Sequence, residues 1–126
     1  KGVLKMNNRE IGDYGERLAE NYLQKKGYTI VEKNFWCRYG EIDLIARIKD
    51  YLAFIEVKLS SQEDFIAPCY KIHKDKQEKI KRAAQYYLNF RNLNFDLRFD
   101  VVLINDQEAK PEINLIKDAF WIKERI

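Results

Sequence analysis

Residues 40–59 read Gly40-Glu41-Ile42-Asp43-Leu44-Ile45-Ala46-Arg47-Ile48-Lys49-Asp50-Tyr51-Leu52-Ala53-Phe54-Ile55-Glu56-Val57-Lys58-Leu59. The stretch predicts a β-hairpin. In its first arm Ile42, Leu44, Ala46 and Ile48 alternate with Glu41, Asp43, Ile45 and Arg47, the period of two that a strand imposes on its side chains. The second arm places Tyr51, Ala53, Ile55, Val57 and Leu59 on one face, and Leu52, Phe54, Glu56 and Lys58 on the other. An interior strand, apolar on both sides, thus turns charged at one end.

A turn centred between Lys49 and Asp50 pairs each residue with the one whose number brings the sum to 99. Leu44 then meets Ile55 and Ile45 meets Phe54, while Asp43 falls opposite Glu56 and Glu41 opposite Lys58. No apolar residue is forced onto a polar face, so the hydrophobic pattern supports this register. Directly opposed Cβ atoms lie roughly 4.5–5.5 Å apart, where like charges destabilise a sheet. Asp43 and Glu56 therefore need a cation. Lys58 supplies part of that charge, and two carboxylates beside an ammonium are also what a divalent-metal site for phosphodiester hydrolysis requires.

A chain of 126 residues is long enough for one domain with one core and too short for two. Charged residues make up 34% and apolar ones 46%, the balance of a globular protein in water. The net charge of +3, spread over 23 basic and 20 acidic residues, permits a polyanionic partner without demanding one. Apolar runs fall short of the roughly 18 residues of a membrane span, and no basic-then-apolar leader opens the chain, so a cytoplasmic protein without membrane contact is expected. Lys1 to Lys5 precede the only methionine, Met6, and read as a vector remnant or an upstream extension. Cys37 and Cys69 lie far apart and His73 is the only histidine, so structural zinc is not expected. Reduced thiols suit the cytosol, with a disulfide between the two left open.

Upstream of the hairpin, Leu18, Ala19, Tyr22 and Leu23 are spaced for one face of a helix over 13–26, which Gly27 terminates. Glu16 and Glu20 share a stripe of it, where solvation is the ordinary fate of glutamates. Gly12 and Gly15 each cost a helix interior about 1 kcal/mol, so they mark a frayed start or a close backbone approach. Residues 28–36 are rich in β-branched and aromatic types and predict the first strand.

Downstream, a loop from Ser60 to Ile72 contains Pro68 and is long enough to flank a substrate groove. A second helix over 74–90 turns Ile80, Ala83, Ala84, Tyr87 and Leu88 inward. Its start is basic: Lys71, Lys74, Lys76, Lys79, Lys81 and Arg82 face only Asp75 and Glu78. Such a run is either a solvated helix surface or a contact for phosphates. Residues 97–104 form a strand apolar on both faces beyond Asp100, reached by a crossover that returns parallel to the hairpin's second arm and is right-handed by rule. Residues 112–116 could add an edge strand, with Ala119, Phe120 and Trp121 folding back over the core. The order α-β-β-β-α-β predicts an α/β fold with a mixed sheet flanked by helices. Hydrolase triads are not expected, since Ser60 and Ser61 are the only serines and neither a Gly-rich phosphate loop nor a G-x-S-x-G turn occurs.

Asp43, followed thirteen residues later by Glu56-Val57-Lys58, resembles the PD-(D/E)XK pattern of restriction-endonuclease-like nucleases, with Ile42 where that pattern writes proline. A closer resemblance spans nearly the whole chain. Gly12-x-x-Gly15-Glu16-x-x-Ala19, residues 40–46, Glu56-Val57-Lys58, Lys76 with Ala84 and Leu88, and Arg98-Phe99-Asp100-Val101 are similar, in order and spacing, to the YraN-like family of predicted endonucleases, itself similar to archaeal Holliday junction resolvases. The resemblance implies a restriction-endonuclease-like core acting on DNA, including branched or recombination and repair intermediates. It implies Mg²⁺ or Mn²⁺ held by Asp43, Glu56 and the Val57 carbonyl, with Lys58 orienting or deprotonating water. Glu16 is the implied helix carboxylate and Glu20 its fallback. Beside such a site Lys71, Lys74, Lys76, Lys79 and Arg82 become phosphate contacts. Where relatives usually carry arginine and glycine, this chain has Ser60 and Ile66. Cutting two strands symmetrically needs two sites, for which a homodimer is the open option. Two other readings stand beside the nuclease: surface ion pairs Glu41 to Lys58 and Asp43 to Arg47, and a nucleic-acid-binding or protein-interaction module of the same fold without catalysis.

Overall fold

A computed structural model describes residues 7–60, 72–106 and 110–120. Helix α1 (Asn8–Lys25) starts five residues earlier than its apolar stripe predicts. Asn7 is the reason: its side chain accepts from the Glu10 amide at 2.8 Å while the Glu10 carboxylate accepts from the Asn7 amide at 3.0 Å. This capping box carries the helix through Gly12 and Gly15. Gly15 is where α1 lies close on the sheet, since a Cβ there would stand 3.7 Å from Leu59 Cβ and 3.9 Å from Val57 Cγ1; around Gly12 there is open space.

Strands β1 (Thr29–Cys37), β2 (Gly40–Ile48) and β3 (Tyr51–Ser60) follow as an antiparallel meander. Helix α2 (Lys74–Arg91) then crosses over, and β4 (Asp96–Asn105) lies parallel to β3, as the length of the connection predicts. The edge strand β5 (Glu112–Ile116) runs antiparallel to β4. The result is an α/β fold around a five-stranded mixed sheet in the order β1-β2-β3-β4-β5. Among the described residues no helix is long and apolar enough to cross a membrane.

Each face of the sheet has its own core. Toward α1, Ala19 and Leu23 pack with Tyr28, Leu44, Ala46, Ala53, Ile55, Val102 and Ile104. Toward α2, Ile80, Ala83, Ala84 and Tyr87 pack with Ile45, Leu52, Phe54, Phe99 and Leu103. Strand β3 feeds both, which is why its first half is apolar on both sides. After β5 the chain folds back as expected: the Ala119 amide donates to the Phe99 carbonyl, and buried Phe120 stacks on Phe99 at 4.7 Å. Trp121, Cys69, Pro68, Lys71 and the Ser61 to Lys71 part of the long loop lie outside the described residues; Cys37 is a buried free thiol.

Asp100 is the buried charge of the α1 side, 1% exposed. Its oxygens accept from Arg98 Nε (3.0 Å) and Nη2 (2.9 Å), the Tyr28 hydroxyl (2.9 Å) and the Asp118 amide (3.0 Å). A bidentate guanidinium and two further donors compensate the desolvation of the carboxylate. Burial first, then the Asp100 charge, raises the Tyr28 phenol above its ordinary range, so it stays a donor. Removing one charge of the pair strands the other: Asp100→Ala should cost roughly 3–5 kcal/mol. Tyr28→Phe should cost roughly 1–3 kcal/mol. Urea unfolding of the single variants and of Arg98→Met/Asp100→Leu tests this, the double variant recovering much of the loss.

Candidate active site

The hairpin pairs from Ile48 and Tyr51 to Leu44 and Ile55 keep the register whose numbers sum to 99. There the ladder ends, and the expected pairs of Asp43 with Glu56 and Glu41 with Lys58 are not formed. The cause is a change of face in both β1 and β2. In β1, Glu32 reaches Arg91 of α2 and Lys33 reaches Glu20 of α1, yet Phe35 returns to Tyr87 of α2. Asn34, between them, sits at φ +52°. In β2 the same break falls between Ile42, which packs on the α2 side, and Leu44, which packs on the α1 side. The pairs Lys33–Leu44 and Phe35–Ile42 flank it in one register, so Asn34 and Asp43 occupy the change of face together, while the register shift of this strand pair lies between Ile30 and Glu32.

Released from regular alternation, the Asp43 carboxylate turns onto β3, where Oδ2 accepts from the Val57 amide at 2.8 Å. Burial, and after it the charge of Glu56, pushes Asp43 up to about 7; the Val57 hydrogen bond opposes this, and Glu16 and Glu41 add to it. In an extended strand the N–H and C=O of one residue point to the same side, so the Val57 carbonyl also faces β2.

Asp43 and Glu56 line one cavity of about 430 Å³ with Gly40, Glu41, His73, Asp75, Lys76, Lys79 and Ile80. Helix α2 supplies its cationic wall. Lys76 Nζ lies 2.7 Å from Glu56 Oε2, an ion pair in which the carboxylate is 11% and the lysine 53% exposed. Gly40, at φ +139°, brings the β1–β2 turn against Lys79: a Cβ there would stand 3.8 Å from Lys79 Cβ. His73 caps α2 by accepting from the Asp75 amide at 3.2 Å. Its place in the cavity wall had no sequence signal beyond its position just before the helix.

The other expected residues are more dispersed. Glu16 lies on the α1 side in a second cleft with Asp13, Arg17, Glu20, Lys33 and Asn34. Burial raises it, and a hydrogen bond from the Asn34 side chain lowers it. Asn34 thus links Glu16 to the change of face that holds Asp43. Glu20 is instead tied to Lys33 at 3.5 Å. Lys58 is exposed and not among the residues lining the Asp43 cavity; Lys74 is exposed, and Arg82 lines a neighbouring cleft.

The profile of the uncharacterised protein family UPF0102 matches residues 15–104, which hold both strands of the hairpin, Glu16 and all of α2. The chain belongs to this family. A UPF0102 protein of Clostridium acetobutylicum is 44% identical over 118 residues, covering 91% of this chain and 97% of the relative. One of Clostridium perfringens strain 13 is 45% identical over 122 residues, covering 94% and 100%. One of Clostridioides difficile is 45% identical over 116 residues, covering 91% and 100%. Membership agrees with the resemblance seen in the motifs, and none of these names states an activity.

Among the described residues of this UPF0102 chain no three His, Cys, Asp or Glu side chains form a metal cage. The donor set nonetheless fits Mg²⁺, which takes one or two carboxylates and completes its shell with water and substrate phosphate. Asp43 and Glu56 are two such donors in one cavity, where burial first and then the charge of Glu56 raise the proton affinity of Asp43.

A stability prediction follows from Asp43. The unfolded chain gives up this proton near its ordinary value of about 3.9. The native protein holds it to about 7, so the folded state binds more protons in that window and stability falls as pH rises from 4 to 7. Asp43→Asn keeps an acceptor for the Val57 amide and should remove this part of the slope. Urea unfolding of both proteins in chelator at pH 4.5 and 7.5 measures the difference, which should favour the variant at the higher pH.

Proposed function

We propose that this chain is a Mg²⁺- or Mn²⁺-dependent endonuclease that hydrolyses DNA phosphodiester bonds. The observation that carries the proposal is the convergence of Asp43 and Glu56 in a cavity walled by Lys76 and Lys79. Asp43 and Glu56 would hold the cation, with the Val57 carbonyl as a third oxygen. Bound there, the cation would supply Lewis acidity to the attacked phosphate. Lys76 neutralises Glu56 in the metal-free protein, and Lys79 offers a charge to an entering phosphate. Lys58 follows Glu56 by two residues on the same strand face and orients the attacking water. Glu16 approaches from α1 through Asn34 and adds negative charge behind Asp43. Lys74, Lys76, Lys79 and Arg82 of α2 contact flanking phosphates; the same role for Lys71 lies outside the described residues.

Because Asp43 must lose a proton to take up a cation, Mn²⁺ binding should tighten about tenfold per pH unit up to about pH 7 and level off above it. Calorimetry in buffers of different ionisation enthalpy should show proton release below that pH. Cleavage of labelled junctions, flaps, duplexes and single strands with Mg²⁺, Mn²⁺ or chelator tests the activity. Asp43→Ala should abolish it, and Lys58→Ala should lower turnover more than metal affinity. Lys79→Ala should lower the slope of log K against log salt by about 0.7–0.9. Cleavage that survives Asp43→Ala would remove the proposed site. Binding without cleavage under either metal would leave the binding module as the function. Sedimentation with and without a junction decides whether two copies act as a homodimer.

A further inference from the structure

Beyond the cavity of Asp43, α2 continues into a surface whose aromatic side chains are only partly used in packing. Tyr39, Arg82, Gln85, Tyr86 and Asn89 line a cleft of about 250 Å³. Tyr86 is 42% and Phe90 66% exposed, and the two rings lie parallel, 4° apart in orientation with centroids at 6.2 Å. Tyr39 meets Tyr86 edge-on at 6.3 Å. Cations surround these rings: Arg38 lies 4.9 Å from the Tyr39 centroid and Arg91 5.8 Å from that of Phe90. Glu32 takes part of the Arg91 charge at 3.0 Å, and among the described residues no carboxylate lines the cleft itself.

Spacing joins this surface to the proposed site. Lys79, Arg82, Tyr86 and Phe90 follow one another by three or four residues and so form one stripe along α2, about 16 Å long at 1.5 Å per residue. Lys79 lines the cavity of Asp43 and Glu56, and Arg82 and Tyr86 line the cleft beside it. On the opposite wall, adjacent residues Gly40 and Tyr39 serve the cavity and the cleft in turn.

From this geometry we infer that the cleft holds unpaired nucleotides of the DNA substrate, next to the phosphodiester bound at Asp43 and Glu56. This deepens the proposed function and rests on it for the cleavage step. Exposed aromatic faces interleaved with cations are what single strands recognise: the rings stack on bases and the cations meet phosphates. A fully paired duplex cannot use the rings, because its base faces are already stacked on one another. The absence of carboxylates from the described lining matches a polyanion and gives a basic peptide nothing to pair with. The substrate class is accordingly DNA with unpaired nucleotides beside the cut, such as flaps, gapped branches and single strands.

The test compares the wild-type protein with Tyr86→Ala, Tyr86→Trp and Phe90→Ser. Fluorescence anisotropy in chelator would follow an oligothymidine strand, a flap of the same length and a fully paired duplex. Tyr86→Ala and Phe90→Ser should each weaken strand and flap binding about tenfold. Duplex binding should change less than twofold, and Tyr86→Trp should restore strand binding. Because Tyr86 also packs on Phe35, thermal unfolding of each variant is measured, and the more exposed Phe90 gives the result least coupled to folding. If Phe90→Ser and Tyr86→Ala leave strand binding unchanged, or weaken duplex and strand equally, the inference is overturned. If the wild type cuts nothing but strand binding depends on Tyr86 and Phe90, the cleft assignment stands and the nuclease reading fails. If the wild type cuts and the variants cut flaps as well as it does, the nuclease reading stands and the cleft assignment fails.

Discussion

The charged end of the hairpin depends on the hydrogen bond from the Val57 amide to the Asp43 carboxylate. A regular ladder would have given that amide a backbone carbonyl and set Asp43 squarely against Glu56. The side-chain acceptor does two things at once. It satisfies a strand amide where the two arms stop pairing, and it fixes one carboxylate oxygen without removing Asp43 from the cavity it shares with Glu56. The left-handed backbone at Asn34 makes this possible, because it lets β1 and β2 change faces together and keep their pairing on either side. Position is thus set by backbone geometry, and the Val57 hydrogen bond only partly offsets the burial of Asp43 beside Glu56.

Helix α2 decides what surrounds the two carboxylates. Its inner face is spent on Tyr87, Ala83, Ala84 and Ile80, which seal Phe54 and Ile45 from water. Its first turns overhang the open end of β3, so Lys76 reaches Glu56 and Lys79 reaches Gly40. Its last turns lie over β1, where Arg91 meets Glu32 and stays beside exposed Phe90. The direction of the helix across the sheet thereby orders the surface from lysines at the cavity to aromatics beyond it. One rigid element aligns both, and no loop needs to be positioned for them to lie in sequence.

Much of this was legible in the chain. Period-two alternation gave the strands, the sum of 99 gave the hairpin register through Leu44, and the length between Leu59 and Leu97 gave the parallel return. Two things were missed for definite reasons. The start of α1 is written in Asn7 and Glu10, a capping signal outside the apolar stripe that set the expected boundary. The change of face at Asn34 and Asp43 is invisible to alternation, since Ile42 and Leu44 are both apolar and suit either core. A left-handed asparagine inside a strand was the one hint, as asparagine tolerates that conformation better than most residues. At the candidate site, Asp43 and Glu56 could be brought together from the register, but the ion pair of Glu56 with Lys76 joins strands to a helix far along the chain, which no local pattern encodes.

Asp43 and Asp100 show why the first is the better candidate for chemistry. Both carboxylates sit in strands against the α1 and α2 layers, and both lose water on folding. Asp100 receives a bidentate guanidinium, a phenol and an amide, so every demand of its charge is met within the protein. Asp43 receives one amide, and burial together with the charges of Glu56, Glu16 and Glu41 makes it an acid that keeps its proton to about 7. The same fold that builds a complete cradle at Asp100 leaves an incomplete one at Asp43, although lysines stand within the same cavity. An ionisable group held short of its counter-charge costs stability, and a cost placed at an accessible cavity is characteristic of a site that completes itself with a ligand. The motif resemblance implies metal and phosphate as ligands; the contrast between the two aspartates gives a physical reason to test for them at Asp43.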